Sequence, residues 1–282
     1  MAESQVLTGA DFRRISTLLR DRVGISLSDK KRGLLTARLS SMMRSLGYTS
    51  YGQLADQLEQ DPEGPLFMEL VNRLSTNHTY FDRETRHFGF VGEELVPRWE
   101  RELSQGNRER VRVWSAACSS GEEPYNIAMT IADASDTVRA ATRILGSDIA
   151  ASALRKAETG IYGEKELAKL SPARRRTHFL TTADGERVNL GIRDMIVFRR
   201  LNLVRDTYPF RHVFDLIFCR NVLIYFDEDL QRSVVNAMMR YLAVGGYLIV
   251  GHSETLDRSL FGLQYRRPGV YERVGTRQGA VG

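Results

Sequence analysis

Residues 111–125 read VRVWSAACSSGEEPY, and the fold of the chain follows from this stretch. Its β-branched start leads into small residues at 115–121, and two acids and a proline follow at 122–124. Beyond them, apolar residues recur at helical spacing: Ile127, Ala128, Ile131 and Ala132. The pattern predicts a strand, a turn of small residues and then a helix.

The composition of this turn favours close approach of a ligand to the backbone, because small side chains leave the N–H groups accessible. The turn lacks the spacing of a dinucleotide fingerprint, since Gly121 is its only glycine. Glu122 and Glu123 would repel a pyrophosphate but would tolerate a ligand that carries positive charge. The simpler alternative is an ordinary turn whose acids are favoured by the helix dipole.

The composition also limits the class of protein. With 282 residues, the chain is long enough for a sizeable core and is expected to contain two domains. It has no apolar run of membrane-spanning length and no secretory pattern at its N-terminus. Its net charge of +5 hints at an acidic partner. Cys118 and Cys219 predict no disulfide framework, and no spaced Cys or His cluster predicts a metal site, so we expect a cytosolic protein.

The first quarter of the chain has helical periodicity throughout and predicts four helices. The second helix has an apolar stripe of Leu35, Leu39, Met42, Met43 and Leu46. The side away from this stripe carries four basic residues: Lys30, Lys31, Arg38 and Arg44. Such a basic face is either simply solvated or a docking surface for an acidic helix.

From residue 111 onwards, predicted strands and helices alternate, which indicates a mostly parallel sheet covered by helices on both sides. After the first strand we expect strands at 142–148, 196–203, 213–219 and 247–251, the last following a helix that ends at Gly245 and Gly246. A closing hairpin is predicted from 263–266 and 270–273.

Two further segments stand apart from this alternation. Residues 75–84 are polar and aromatic and join the helical part to the α/β part, so they are either a plain linker or a contributor of ligand contacts. Residues 161–195 contain two short β segments around a turn at 183–185. They predict a small hairpin subdomain inserted beside the sheet.

Ligands of open α/β sheets bind beyond the carboxyl ends of the strands. Asp148 follows the second strand, where an acid can accept both hydroxyls of a ribose. Without a glycine-rich phosphate cradle, the nucleoside is expected to lack phosphates, and S-adenosylmethionine fits this description. Glu123 suits its cationic methionine end, and Arg83 suits its carboxylate.

Five stretches in order span almost the whole chain: LSTNHTYFDRE at 74–84, WSAACSSGEEPY at 114–125, GSDI at 146–149, FCRNVLIYF at 218–226 and GHSE at 251–254. In these stretches the chain resembles the chemotaxis receptor glutamate O-methyltransferases of the CheR family. The resemblance implies an α/β methyltransferase fold, with a Rossmann-like, mostly parallel seven-stranded sheet that ends in an antiparallel hairpin. It also implies an all-α N-terminal domain and a small inserted antiparallel β-subdomain.

The resemblance implies domain boundaries as well. Residues 1–75 would form the helical, receptor-docking domain, and residues 76–87 an interdomain segment that contributes to the site. Residues 88–282 would form the S-adenosylmethionine-binding domain, with the β-subdomain inserted at about 161–195.

The reaction of the family moves a methyl group from S-adenosylmethionine to a receptor glutamate, which yields a glutamate 5-O-methyl ester and S-adenosylhomocysteine. This reaction serves sensory adaptation in bacterial chemotaxis. By resemblance, Arg83 and Tyr225 stand near the transferred methyl group as the catalytic residues. The residues implied to bind the cofactor are Asn77, Thr79, Arg83, Glu123, Asp148, Asn202, Leu203, Arg220 and Asn221.

The implied partner is the cytoplasmic helical region of chemotaxis receptors, whose acidic segments complement the basic face of the second helix. Regulatory proteins are further candidate partners, whereas nucleic acid, membrane insertion and a metal are not expected. The resemblance places the enzyme in the cytoplasm, recruited to receptor arrays. Some family members grip a receptor C-terminal pentapeptide with the β-subdomain, but the hairpin tip at 181–187 is short here. We therefore expect an enzyme that does not depend on the pentapeptide.

Two other functions remain as alternatives at this stage. A nucleic-acid methyltransferase would suit the basic composition. However, an enzyme that methylates amino groups would require two prolines and an aromatic after the fourth strand, whereas Asn221 is followed by VLIY. A scaffold protein without catalysis would be expected to lose ligand residues, yet Arg83, Glu123, Asp148 and Tyr225 are all present.

Overall fold

The computed structural model describes residues 6–74, 79–256 and 262–275. Its first four helices pack around an apolar core of their own. A 3-10 turn, Asp29–Lys31, leads into the second of them. The helices are α1 (Gly9–Val23), α2 (Arg32–Leu46), α3 (Tyr51–Gln60) and α4 (Pro65–Leu74).

Local sequence explains the ends of these helices. The side chains of Thr8 and Ser50 each accept a hydrogen bond from a backbone N–H in the first turn of α1 and α3. Helix α1 ends at Gly24, whose φ of 74° is left-handed. A Cβ at Gly24 would lie 2.6 Å from the ring of Phe226, so glycine here also permits close approach of the helical domain to the sheet domain.

The apolar stripe predicted for α2 is buried with one exception. Leu35, Leu39, Met42 and Met43 have no exposed surface, whereas Leu46 is 50% exposed. The prediction for Leu46 was therefore wrong. Leu46 is the last residue of α2, so no further turn of its own helix covers it.

The rest of the chain forms a seven-stranded sheet and a separate three-stranded sheet. The strands are β1 (Val111–Ala116), β2 (Thr142–Asp148), β3 (Ile161–Tyr162), β4 (Phe179–Thr182), β5 (Gly185–Val188), β6 (Ile196–Arg200), β7 (Phe214–Cys219), β8 (Leu242–Val250), β9 (Leu263–Arg267) and β10 (Val270–Arg273). The large sheet has the order β6-β2-β1-β7-β8-β10-β9. Strand β10 runs antiparallel to both of its neighbours, and the remaining pairs are parallel.

Helices cover both faces of this sheet, as the alternating pattern predicted. Successive residues of β1 point to opposite faces, so Val113 belongs to one apolar core and Trp114 to the other. A π-helical turn, Val91–Leu95, and a 3-10 turn, Leu223–Tyr225, complete the helical segments. The helices are α5 (Thr85–Phe90), α6 (Val96–Ser104), α7 (Glu122–Ala134), α8 (Asp136–Ala141), α9 (Ala151–Thr159), α10 (Glu164–Leu167), α11 (Pro172–His178), α12 (Leu190–Arg193) and α13 (Glu228–Met239). Within the described ranges, none of the helices is long and apolar enough to cross a membrane.

Two strand boundaries differ from the prediction. Strand β8 already begins at Leu242, and Gly245 and Gly246 lie inside it instead of ending the preceding helix. The pairing of β7 with β8 shifts register near this point, and glycines are common inside strands at such irregularities. Strand β6 ends at Arg200, so Asn202 lies in the loop that follows.

The inserted segment contains the predicted hairpin, in which β4 and β5 pair antiparallel. A third strand, β3, pairs with the other side of β5 and was missed because two residues are too short for a periodic pattern. The insertion also touches the turn after β1, since the Tyr162 hydroxyl donates a hydrogen bond of 2.7 Å to the Ser120 carbonyl.

The strand order places a crevice at the carboxyl end of β1. Strand β1 lies between β2 on one side and β7 on the other, so the direction of winding reverses there. Open α/β sheets bind their ligands in the crevice at such a reversal. The loops that follow β1, β2, β6 and β7 surround this point.

Candidate functional site

The loops at this crevice hold several non-glycine residues in left-handed backbone conformations. In the described ranges these are Asp82, Glu84, Ala117, Ser119 and Asn221, with φ between 50° and 64°. Each such residue costs about 1–3 kcal/mol and persists only where its surroundings enforce the conformation. They come from the loops after β1 and β7 and from the segment before α5, which identifies these three segments as a strained site.

A buried guanidinium ties the segment before α5 to the sheet. Arg220, directly after β7, lies 3.2 Å from a carboxylate oxygen of Glu84 and 3.2 Å from one of Glu123. It also donates a hydrogen bond to the backbone carbonyl of Arg83. The second oxygen of Glu123 accepts a 2.6 Å hydrogen bond from the Ser115 hydroxyl. One guanidinium is thus shared by two carboxylates from different parts of the chain.

The buried carboxylate of Glu254 shapes the loop after β7. One of its oxygens accepts hydrogen bonds of 2.7 Å from the backbone N–H groups of Asn221 and Gly251. The other oxygen accepts from the N–H of Ile224 at 3.4 Å. These bonds fix the loop that carries Asn221 and Tyr225.

The carboxylate of Asp148 holds the loops after β1 and β2 in a similar way. One oxygen of its buried carboxylate accepts from the N–H of Ser119 at 2.8 Å, and the other accepts from the N–H of Ala150 at 2.9 Å. The Cys118 N–H donates to the Ser147 carbonyl at 2.9 Å. The carboxylate therefore joins the turn after β1 to the end of β2 and orients both.

Burial raises the pKa of Glu123, although Arg220 and the Ser115 hydroxyl oppose the shift. Burial likewise raises the pKa of Asp148 against its backbone N–H donors. A carboxyl with a raised folded-state pKa stabilises the fold below its unfolded pKa, and this contribution is lost as pH rises through the folded pKa. At neutral pH both carboxylates therefore lower stability, and a ligand that brings a cation or hydroxyl donors offsets this cost.

Two adjoining cavities open at the carboxyl ends of β1 and β7, and Ala117, Ser119 and Asn221 line both of them. The larger, called the apolar cavity, has a volume of about 130 Å³, and the smaller, called the polar cavity, about 60 Å³. The walls of the apolar cavity include Val23, Ile25, Asp148, Leu203, Tyr225 and Phe226. The walls of the polar cavity include Thr79, Arg83, Phe88, Glu123 and Arg220.

The helical domain supplies one wall of the apolar cavity, through Val23 at the end of α1. The side-chain amide of Asn202 donates a 2.7 Å hydrogen bond to the Arg22 carbonyl. The backbone N–H of Ser26 donates a longer one, of 3.5 Å, to the Tyr225 carbonyl. The apolar cavity is therefore formed only when the helical domain and the sheet are in contact.

Comparison with known proteins assigns both parts of the chain. A family model described as the CheR methyltransferase all-alpha domain matches residues 10–75. A second, described as the CheR methyltransferase SAM binding domain, matches residues 77–264. This chain belongs to the CheR family.

Curated relatives of similar length agree with this assignment, and each is named a chemotaxis protein methyltransferase. The protein from Borreliella burgdorferi is 36% identical over 271 residues, which cover 95% of both chains. The protein from Escherichia coli is 38% identical over 261 residues, 91% of this chain and 88% of its own. The protein from Salmonella typhimurium is 36% identical over 275 residues, 96% of this chain and 92% of its own. The chain is an S-adenosylmethionine-dependent chemotaxis protein methyltransferase.

In this CheR structure, the predicted cofactor-binding and catalytic residues within the described ranges line the two cavities. Arg83 and Tyr225, which were expected near the same methyl group, line different cavities, and these adjoin at Asn221. Asn77 lies outside the described residues. The polar cavity holds Thr79, Arg83, Glu123 and Arg220, the apolar cavity holds Asp148, Asn202, Leu203 and Tyr225, and Asn221 lines both.

The predicted docking residues of this CheR protein lie on its helical domain. Lys30, Arg38 and Arg44 are exposed, and the side chain of Lys31 lies outside the described part of the structure. The Arg38 guanidinium also donates a 2.9 Å hydrogen bond to the Arg73 carbonyl at the end of α4. This residue therefore contributes to the helical bundle besides presenting charge at its surface.

Sequence reasoning missed several residues that form or support the two cavities. Glu84 and Glu254 lie within the stretches that carry the family resemblance, but nothing in the local sequence shows what they bind. Val23 and Ile25 were predicted only as part of the helical domain. Their place in the apolar cavity results from packing between domains, for which the sequence carries no periodic signal.

Proposed function

We propose that this CheR enzyme transfers the methyl group of S-adenosylmethionine to glutamate side chains of chemotaxis receptors, which yields glutamate 5-O-methyl esters and S-adenosylhomocysteine. The pair of adjoining cavities carries this proposal. An apolar cavity bordered by Asp148 leads into a polar cavity that contains Glu123 and Arg83. An adenosine joined to a charged amino acid has the same succession of groups.

The residues present fit this cofactor. Asp148 offers carboxylate oxygens for the ribose hydroxyls, Glu123 an anion for the ammonium group and Arg83 a planar donor pair for the carboxylate. The buried hydroxyl oxygen of Ser119 has no hydrogen-bond partner in the described part of the chain, and Ser119 lines both cavities. It is therefore available to a polar group of the ligand where the cavities meet.

The chemistry requires little acid–base assistance from the protein. When bound, S-adenosylmethionine supplies a methyl group that is already activated by its sulfonium. A receptor glutamate is ionised at pH 7, so no general base or metal is needed to prepare it. The protein contributes positioning and exclusion of water. In this proposal Arg83 also orients the carboxylate of the receptor glutamate, and Tyr225 holds that carboxylate through its hydroxyl.

We propose that residues 1–75 dock the receptor, that 76–87 contribute to the site and that 88–282 carry out the transfer, with the β-subdomain inserted at about 161–195. The enzyme would then act at receptor arrays on the cytoplasmic side. Thr182 pairs with Gly185 in the β4–β5 hairpin, so only Ala183 and Asp184 form its tip. A tip this short supports an enzyme that does not depend on a receptor pentapeptide.

The proposed function is tested with tritiated S-adenosylmethionine and membranes that contain chemotaxis receptors. The expected result is label on the receptor that is released by mild base, because carboxyl methyl esters hydrolyse under those conditions. Label that resists base, or label on RNA in place of receptor, would contradict receptor esterification. Membranes without receptors serve as the control.

Replacing Tyr225 with phenylalanine tests the role of its hydroxyl. A hydrogen bond to a charged group contributes about 1.5–3 kcal/mol, so we expect kcat to fall about 10- to 150-fold. The KM for S-adenosylmethionine should stay nearly constant, because the ring remains in the cavity wall. Tyr225→Ala should lower kcat further and raise this KM. Wild-type kcat in Tyr225→Phe would assign the residue a packing role only. Tyr265→Phe, on the edge strand β9, is the matched control.

Reversing Arg38 and Arg44 to glutamate tests receptor docking. Exposed charge pairs contribute only about 0–1 kcal/mol each, but several together raise association rates, and salt screens them. We expect a higher KM for receptor with unchanged affinity for S-adenosylhomocysteine. At low receptor concentration the wild-type rate should fall with added salt, and the variant should lose most of this dependence.

The control for the docking variant is the reversal of Arg110 and Arg211, two exposed residues that precede β1 and β7. These residues lie at the opposite end of the sheet from the site. Reversing them changes the net charge by the same amount as reversing Arg38 and Arg44. If both double variants raise the receptor KM equally, net charge and not the basic face of α2 is responsible. Wild-type kinetics in the docking variant would show that the basic face of α2 is simply solvated and does not dock the receptor.

A further inference from the structure

Three side chains that commonly bind metals meet beside the polar cavity, although one of them is far from the other two in the sequence. Glu84 and His87 flank the start of α5, and His252 follows β8. One oxygen of Glu84 lies 3.4 Å from Nδ1 of His87. The rings of His87 and His252 stand edge to face, with centroids 4.9 Å apart. One ligand atom from each residue lies within 4.8 Å of the other two.

The ring of His87 is buried with one nitrogen unsatisfied. Its Nε2 lies 3.4 Å from the Pro268 carbonyl. Its Nδ1 has no hydrogen-bond partner among the described residues. A proton on Nε2 can be donated to the Pro268 carbonyl, which leaves Nδ1 as an acceptor that faces the Glu84 carboxylate oxygen. A cation between these two acceptors would bind both.

The surroundings match those of protein zinc ligands. Metal-binding histidines usually donate their second N–H to a carboxylate or a backbone carbonyl, as Nε2 of His87 is placed to do with Pro268. Imidazole and carboxylate groups suit zinc, which binds them at about 2.0–2.2 Å. His252 is exposed, so it can move towards the ion and gives a route from solvent. We propose that Glu84, His87 and His252 bind zinc or a similar divalent cation and that this binding inhibits the enzyme.

Inhibition follows from the second partner of Glu84. The carboxylate oxygen nearest to His87 is also the one that pairs with the Arg220 guanidinium, at 3.2 Å. The other oxygen lies 3.4 Å from the side-chain amide of Asn221, which donates to it. A divalent cation on the shared oxygen repels Arg220 and competes for Glu84. Since Arg220 and Asn221 line the polar cavity, the cation and the cofactor oppose each other.

Metal binding is tested directly by titrating the full, untagged chain with Co²⁺ and recording visible absorption. We expect one equivalent to give the intense bands of a site with few ligands, and Zn²⁺ to displace it. His252→Ala should weaken Co²⁺ binding by about tenfold or more. His212→Ala, an exposed histidine outside the cluster, should bind as the wild type does. Absence of the bands, or equal affinity in wild type and His252→Ala, would overturn the site.

The coupling is tested by calorimetry with S-adenosylhomocysteine, with and without saturating Zn²⁺. Linkage requires that Zn²⁺ lower the affinity for S-adenosylhomocysteine by the same factor by which S-adenosylhomocysteine lowers the affinity for Zn²⁺. In His252→Ala the same loss of affinity should require about tenfold or more Zn²⁺. Equal affinities with and without Zn²⁺ in the wild type would overturn the inhibitory role. This inhibitory role rests on the proposed cofactor site, whereas the Co²⁺ titration does not. A chain that binds Co²⁺ but no S-adenosylhomocysteine would therefore contradict the proposed function and the coupling, but not the metal site.

Discussion

Arg220→Met should raise the Kd for S-adenosylhomocysteine at least about a hundredfold, because the buried charge network of the polar cavity depends on this guanidinium. The side chain of Arg220 is only 2% exposed, and it is a shared counter-ion for Glu84 and Glu123. Removing one partner of a buried ion pair destabilises a fold by about 3–5 kcal/mol. Because Arg220 and Glu123 both line the polar cavity, we expect about 3 kcal/mol of this loss to appear in binding, which corresponds to more than a hundredfold in Kd. Calorimetry with S-adenosylhomocysteine measures the effect.

The same variant should also lose free energy of unfolding, which chemical denaturation measures. Adding Glu84→Gln to Arg220→Met should recover part of that loss, since it neutralises one of the two carboxylates left without a counter-ion. Arg110→Met, at an exposed position before β1, should leave both measurements unchanged. A folded Arg220→Met variant with wild-type affinity would show that the network does not shape the cofactor site.

Asp148→Ala should weaken S-adenosylmethionine and S-adenosylhomocysteine by the same factor, because both carry the ribose that Asp148 is proposed to bind. One charge-assisted hydrogen bond contributes about 1.5–3 kcal/mol, which corresponds to roughly 10- to 150-fold in Kd. The structure adds a second reason for a large effect. The carboxylate also accepts from the N–H groups of Ser119 and Ala150, so its loss loosens the turn after β1.

Asp148→Asn separates these two contributions. It retains one oxygen for a backbone donor but lacks the charge that strengthens bonds to the hydroxyls, so its affinity should fall between wild type and Asp148→Ala. Asp136→Ala, an 86% exposed acid on α8, is the matched control. Unchanged affinity in a folded Asp148→Ala variant would remove this residue from the cofactor site.

Much of the architecture was predictable from the sequence because its signals are local. The apolar spacing around Ile15 and Leu54 predicts buried helix faces, and both residues have no exposed surface. The β-branched run at 111–114 followed by small residues predicts β1 and its turn. Asp148 was expected at the carboxyl end of the second strand, and it is the last residue of β2. In each case a few neighbouring residues carry both the pattern and the structure.

Other features depend on which segments the fold brings together. The short strand β3 exists because β5 offers it hydrogen-bonding groups, and Leu46 is exposed because α2 ends there. The family resemblance placed Arg220 in the cofactor site. Strand order and domain packing decide three further contacts. They bring Arg220 between Glu84 and Glu123, Glu254 to the loop after β7, and His252 to His87. Residues this far apart acquire partners only through tertiary contacts, since no local periodicity relates them.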